Sequence, residues 1–554
     1  MVGIVVGVLL LAAPAWAATN HYVRAAATGS ANGSDWTNAC TDFTGSCAVA
    51  SLVRGDTYYV ATGTYGSRTF NTAASGTLVI TIKGATVADH GTDTGWQASY
   101  SVSTSDGGSQ ATFTNPGAGA TGVVFTTSYW TFDGSVGSTN TSTSYGFFIS
   151  KPASCVTGTQ ENLFVGIATQ SATSTGYTIK YVSFLGCGSA FDYAQRGLTV
   201  GCAQCYVTAS TFSNNFFDGF GQSFALTNVS TSTFEYNWSQ NQWSGVTHGE
   251  TLAITNCHNS DFGGCSTAFT QGQGAMTNTF RYNIIKNCRG TACMAGLGPG
   301  NVLAFRDWDI YGNVFVDAQG GNGVISTGGA NFVMQNVKMY NNTIIGAAST
   351  ISWQCEQNPQ CASASGNVFK NNVLYSSGSV LNADLGSAYD SDYNAWLSAD
   401  DTPPTETNSQ ILTLDPFVNS AIGDTGDYHL TASAATTLNA GLTLASPYTQ
   451  DLDGNTRGAD GKWDRGAYEY GGTASTSGWV ILIEVVGLIF NAGGLAWIAG
   501  RFLYGRTLES CVAVARWRHA HRPVGRHHVL PRTDRQAGRG IVAGRTPPSR
   551  LHGS

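Results

Sequence analysis

Six copies of one short pattern, an apolar residue followed three positions later by asparagine, run through the middle of the chain: Phe212 to Asn215, Phe234 to Asn237, Phe280 to Asn283, Ile310 to Asn313, Met339 to Asn342 and Phe369 to Asn372. Most are followed by another apolar pair, such as Ile284-Ile285 or Val373-Leu374. The asparagines are separated by steps of 22, 46, 30, 29 and 30 residues, so the 46 is either two short coils or one coil with a long insertion. A repeat of this length, built from β-rich segments without helical periodicity, predicts a parallel β-solenoid. The apolar residue should point into the core. The asparagine should turn the strand and bond the coils above and below it, forming a stacked ladder.

Composition excludes the main alternatives. The chain has 554 residues with 69 glycines and only 11% charged residues, which suits neither a helical bundle nor a disordered chain. The net charge of −7 hides a split. Residues 501–554 carry 11 Arg, no Lys and two acids, leaving the first 500 residues near −16, so the body offers no nucleic-acid footprint.

Residues 1–17 form an apolar run ending in Ala15-Trp16-Ala17, which reads as a secretory signal peptide. Twelve of the 13 cysteines lie in the body. Their spacing suggests short staples, Cys40/Cys47, Cys202/Cys205, Cys257/Cys265, Cys288/Cys293 and Cys355/Cys361, with Cys155/Cys187 as a longer pair. Cys202 and Cys205 lack the second Cys pair or His of a zinc site.

The segment Gly55 to Tyr65, preceded by His21-Tyr22-Val23 and Asn32 to Trp36, resembles the opening coil of secreted right-handed parallel β-helix proteins of the pectin-lyase-like class. Ser391 to Asn394, Asp415 to Val418, Asp427 to Leu430, Leu438 to Gly441, Asp451 to Asn455 and Gly466 to Tyr470 resemble the closing region of bacterial members with a variable cell-surface anchor. The resemblance spans about residues 20–470 and implies an all-β, right-handed parallel β-helix in one large domain, exported and secreted or attached at the cell surface. It does not fix activity, since this fold hosts lyases, hydrolases, epimerases and non-catalytic surface proteins. None of the polygalacturonase or pectate lyase catalytic signatures is found, so no family catalytic residue is carried over.

The resulting plan is a signal peptide (1–17), the β-helix with its opening coil (18–400), a closing region (401–470), a Gly/Ser/Thr linker (471–478), an apolar segment (479–500) and a basic tail (501–554). Residues 479–500 have the length of a transmembrane or sorting helix, which would make the membrane a partner. The tail reads as a disordered basic extension, a binder of anionic surfaces, or translation from a shifted frame. Asp451-Leu-Asp-Gly-Asn455 fails as an EF-hand loop, because position six is Thr456 and position twelve is Lys462; it reads as a turn closing the last coil.

Chemistry should lie on the coils. The residue after each repeated apolar position should face outward, giving Ser213, Glu235, Arg281, Tyr311, Tyr340 and Lys370. A second row, further along each coil, places Gln222 and Phe224 beside His248 and Glu250, then Cys293 and Met294, then Val324 and Ile325, with Asp192 one coil earlier. His248 and Glu250 share a face of an extended strand. Catalytic candidates are therefore His248, Glu250, Arg281 and Lys286; substrate-binding candidates are Asp192, Glu235, Trp238, Trp243, Arg289 and Tyr311. A polysaccharide lyase would use a base such as Lys286, Arg281 or His248, with calcium held by Glu235, Glu250 or Asp192 as the cofactor that neutralises a uronate. A glycosidase would use two carboxylates, drawn from Asp192, Glu235, Glu250, Asp307 and Asp309. The expected partner is an extended, acidic polysaccharide, bound and, in the enzyme reading, cleaved; the competing class is a non-catalytic surface or adhesion protein.

Overall fold

The computed structural model describes residues 18–471 outside a set of connections, the longest being 152–161, 255–276, 353–365 and 398–405; beyond residue 471 it describes only Phe490–Asn491 and Gly494–Leu495. Met1–Thr476 form one compact unit and Ser477–Ser554 another. The signal peptide, most of the linker and the basic tail of the sequence reading lie outside the described residues. Among the described residues no helix is long and apolar enough to cross a membrane. The four described residues of the 479–500 segment pair as a short antiparallel ladder instead of a helical turn.

Three long sheets of 13, 12 and 10 strands, nearly all two to six residues long, make up the body. Neighbouring strands in each sheet come from successive passes of the chain and pair in parallel. This almost all-β arrangement is that of a β-solenoid. The six repeated apolar residues stack in register, Phe212 on Phe234, Phe280, Ile310, Met339 and Phe369, and all are buried in one core. Because Phe234 pairs directly with Phe280, the 46-residue step is one coil carrying an insertion.

The asparagines form a continuous ladder. Each donates its backbone N–H and Nδ2 to the Oδ1 of the next, from Asn215 through Asn237, Asn283, Asn313, Asn342 and Asn372 to Asn394, at 2.9–3.1 Å. Each Nδ2 also reaches a carbonyl of the preceding coil, as Asn283 does to Phe234 at 3.0 Å. One expectation is corrected: the turn itself is taken by the residue before the asparagine. Asn214, Tyr236, Tyr282, Gly312, Asn341, Asn371 and Tyr393 all have φ between 53° and 64°. Bending the chain there frees the asparagine to stay extended and aim its amide along the axis.

The connection from first to second sheet is thus two residues long in seven consecutive coils. Connections on either side of the third sheet vary widely, as 243–249, 289–293, 317–324, 255–278 and 353–366 show.

The closing region does not merely end the stack. It folds back along the outer face of the second sheet, burying Val314, Val316, Ile345 and Val373 against Phe417, Tyr428 and Leu430 in a second apolar core. Its helix Ala432–Leu438 is capped by Thr431, whose hydroxyl accepts from Ala434 N–H at 3.3 Å. Asp451 closes a turn, as its sequence suggested, accepting from Asn455 N and Nδ2 at 2.7 and 3.0 Å and from Glu469 N at 3.0 Å.

Cys40–Cys47, Cys202–Cys205 and Cys288–Cys293 are disulfides with Cα separations of 6.0, 5.0 and 5.4 Å. Cys187 is also disulfide-bonded. Cys155, Cys257, Cys265, Cys355 and Cys361 lie outside the described residues.

Candidate functional site

The structure separates the predicted site residues into two groups. Glu235, Arg281 and Tyr311 are successive outward positions of the first sheet, and Trp238 and Lys286 follow on the second. Glu250 begins a strand of the third sheet. Within one coil the whole strand Ile284–Cys288 separates the corner beside Arg281 from that leading to the third sheet, about 13 Å at the usual rise per residue. Arg281 and Glu250 therefore do not form one groove. Register on the third sheet also differs from expectation: Gln222 pairs with Glu250 and Phe224 with Leu252. His248 thus falls before the strand, not opposite Gln222.

In the first group, Glu235 Oε2 accepts from Arg281 Nε and Nη2 at 2.7 and 2.6 Å, and Tyr311 Oη accepts from Arg281 Nη1 at 2.8 Å. Burial disfavours the Arg281 charge, but the Tyr311 hydroxyl and Glu235 carboxylate outweigh it and its pKa is raised. This guanidinium holds its proton firmly. Tyr311 is itself buried beneath Tyr448 of the closing region, with ring centroids 4.9 Å apart. Lys286 is buried too: its Nζ lies 4.7 Å from the Trp238 ring centroid and 5.7 Å from that of Tyr428, and donates to Gly423 O at 3.0 Å. An ammonium held this way fastens the closing region to the coils, a partner that no repeat or motif of the sequence signals.

The second group gathers where the second sheet turns into the third. Arg196, Gln222 and Glu250 lie on adjacent strands in register. Arg196 Nε donates to Gln222 Oε1 at 3.1 Å and Gln222 Nε2 to Glu250 Oε2 at 3.4 Å. Glu250 is fully buried. Beside this row runs an outer chain of hydrogen bonds. Asn241 Nδ2 donates to Asp218 at 2.7 Å, Asn287 Nδ2 to Asn241 Oδ1 at 2.8 Å, Arg289 Nε to Asn287 Oδ1, and Arg289 Nη2 to Asp317 at 2.8 Å. Arg289 and Asn241 are exposed. Small residues follow outward on the third sheet: Thr199, Ala225, Ala253 and Ala295 are successive partners.

Asp192, Trp243 and His248 lie outside the described residues, but their chain positions fall in 186–194 and 243–249, the connections that lead into this same sheet. Arg196, Asp218, Asn241, Asn287 and Asp317 are residues of this corner that sequence reasoning missed, whereas Gln222 was placed in the row without a role. A signal existed for three of them: Asn241, Asn287 and Asp317 each stand four residues after a ladder asparagine and take left-handed φ of 54–57°. No group of three or more His, Cys, Asp or Glu residues able to hold a metal ion occurs among the described residues.

No protein-family model matches the sequence, and no curated protein matches it. Among solved structures, the chain is similar to a pectate lyase, Pel9A, at 16% identity and TM-score 0.40, covering 82% of this chain and 96% of that one. It is similar to the GH136 lacto-N-biosidase from Eubacterium ramulus at 10% identity and TM-score 0.39, covering 71% of this chain and 68% of that one. A mutant of the PL6 family alginate lyase AlyGC matches at 11% identity and TM-score 0.35 over 68% of this chain, which spans 53% of the lyase's own length.

Proposed function

We propose that the protein is an exported right-handed parallel β-helix that binds an extended polysaccharide over its third sheet and cleaves it there. The observation carrying this reading is the asymmetry of the coil. One corner is held to two residues by the asparagine ladder, whereas the variable connections flank the third sheet, and variable loops on a rigid scaffold are where binding residues concentrate. Arg196 and Gln222, backed by the buried Glu250, supply a polar floor, and Arg289 with the amides beside it supplies charge and hydrogen bonds at the edge. Right-handedness follows from the crossover rule for parallel strands. The disulfides support an oxidising compartment.

His248 is assigned the acid–base role and Glu250, two residues further on, the role of positioning it, because a buried carboxylate orients an imidazole well but does not itself touch a sugar. Arg281, Lys286, Glu235, Trp238 and Tyr311 are not assigned to this reaction. A second reading, binding without cleavage, is favoured by the burial of Glu250 and by the pairing of Arg289 with Asp317. Incubating the purified chain with uronate-containing and neutral polysaccharides, while following unsaturated products and reducing ends separately, tests both. New chain ends support cleavage and reveal its class; binding with neither product supports the second reading.

A further inference from the structure

The outward face of the first sheet carries an unbroken rank of threonines. Thr57, Thr81, Thr131, Thr178, Thr211, Thr233 and Thr279 are direct partners on seven successive strands. All seven are half-exposed. Among the described residues none of their hydroxyls makes a hydrogen bond within the protein, whereas Thr41, Thr72 and Thr127 spend theirs on carbonyls. At about 4.8 Å per strand the rank runs about 29 Å. A β-branched residue on an outer strand position needs no special cause, but seven identical ones with unspent hydroxyls form a repeating surface.

The neighbouring outward rank decides what such a surface can receive. It reads Lys83, Asp133, Lys180, Ser213, Glu235 and Arg281 in register, and it cancels its own charge: Lys180 pairs with Asp133 at 3.1 Å, Arg281 with Glu235 at 2.6 Å, and Lys83 with Asp89. A polyanion finds no free cation row here. At the end of the rank Tyr236 is exposed at the corner and stacked on Tyr282, with centroids 5.1 Å apart. An apolar ring face beside an Arg–carboxylate pair suits sugar hydroxyls, which donate to the carboxylate and accept from the guanidinium.

We propose that this face is a second binding track, for an extended neutral polysaccharide lying along the solenoid axis. Each threonine offers a hydroxyl to a sugar hydroxyl and a methyl to the apolar face of the ring, once per strand, close to the length of one pyranose in an extended β-linked chain. Tyr236 and the Glu235–Arg281 pair hold one end. The track lies on a different sheet from the proposed reaction site and does not depend on it.

The test is co-sedimentation of the full-length protein with three insoluble neutral probes, microcrystalline cellulose, curdlan and xylan, with soluble polygalacturonate measured separately. The wild type should bind at least one neutral probe. A triple variant, Thr178→Val, Thr211→Val and Thr233→Val, keeps shape and strand preference while removing three hydroxyls, and should bind that probe at least tenfold more weakly with an unchanged melting temperature. Tyr236→Ala should weaken it as well, and His248→Ala should leave it untouched. Binding of the wild type to none of the three probes overturns the proposal, as does an undiminished triple variant. Concentration-dependent self-association that the triple variant abolishes also overturns it, because the face would then be an interface between two copies of the chain.

Discussion

Asn394 ends the asparagine ladder on Glu406: its Nδ2 donates to Glu406 Oε1 at 2.8 Å and its backbone N–H to Oε2 at 3.2 Å. The carboxylate stands where an eighth asparagine would, and Ser391 and Trp396 also donate to it. Glu406→Ala should therefore lower unfolding free energy by about 1–3 kcal/mol, the cost of leaving buried donors unpaired. Glu406→Gln should recover part of that, because it retains one acceptor. Chemical denaturation of the two variants measures the difference.

Within the ladder, Asn283→Ala strips an acceptor from Asn237 and donors from Asn313 and Phe234. Phe280→Ala, three residues earlier, empties a core position between Phe234 and Ile310 and should cost about 3–5 kcal/mol. The asparagine change should cost a comparable amount although it removes far less apolar area, since several unmade bonds add up. An Asn283→Ala variant as stable as wild type would mean that water replaces the amide.

The closing region carries a pH signature. His429 lies 2.8 Å from Asp453 and also bonds Asp427. The Asp453 hydrogen bond, opposed by burial and reinforced by Asp427, pushes its pKa up to about 9. A folded value above the unfolded value of about 6.5 means that this contribution is full below pH 6.5 and is lost as pH rises through 9. Asp427 is correspondingly held below the usual carboxylate range: burial raises its pKa, but hydrogen bonds from His429 outweigh it. Melting temperature should fall between pH 7 and pH 10, and His429→Gln should flatten that slope. Since His429 is about half exposed, the effect should be modest and reduced by salt.

Chain length gives a fourth expectation. A chain ending at Gly471 keeps the closing region and should fold. One ending at Leu412 exposes Val314, Val316, Ile345 and Val373 and should aggregate. Circular dichroism and sedimentation of both truncations check this.

At the proposed reaction site, His248→Ala should lower turnover on a cleaved polysaccharide by about 100-fold or more, the usual scale for lost acid–base catalysis. Glu250→Gln should reduce turnover less and shift the acidic limb of the pH–rate profile, as a change in the positioning of a base would. If both variants keep full activity, the assignment of His248 and Glu250 is wrong.

Residues whose role is set by a repeat were legible in the sequence. Phe212 through Phe369 announce both their spacing and their burial, because each occupies one position in an almost invariant corner. Glu250 was legible as a member of the third-sheet row, but not its register, since the connection before it has no fixed length. The surroundings of Lys286 were not legible, because Gly423 and Tyr428 lie more than 130 residues away and belong to no repeat. The same fold-back over the second sheet explains Tyr311, an outward residue by pattern that the closing region covers.

The direct pairing of Phe234 with Phe280 makes the solenoid a ruler that does not record how much chain is threaded between its marks. A segment can be lengthened, exchanged or removed between Ile254 and Thr277 while the next strand still lands one rung above the last. In a column of this kind, new loops can be grafted one coil at a time, and the rungs that carry them need no redesign.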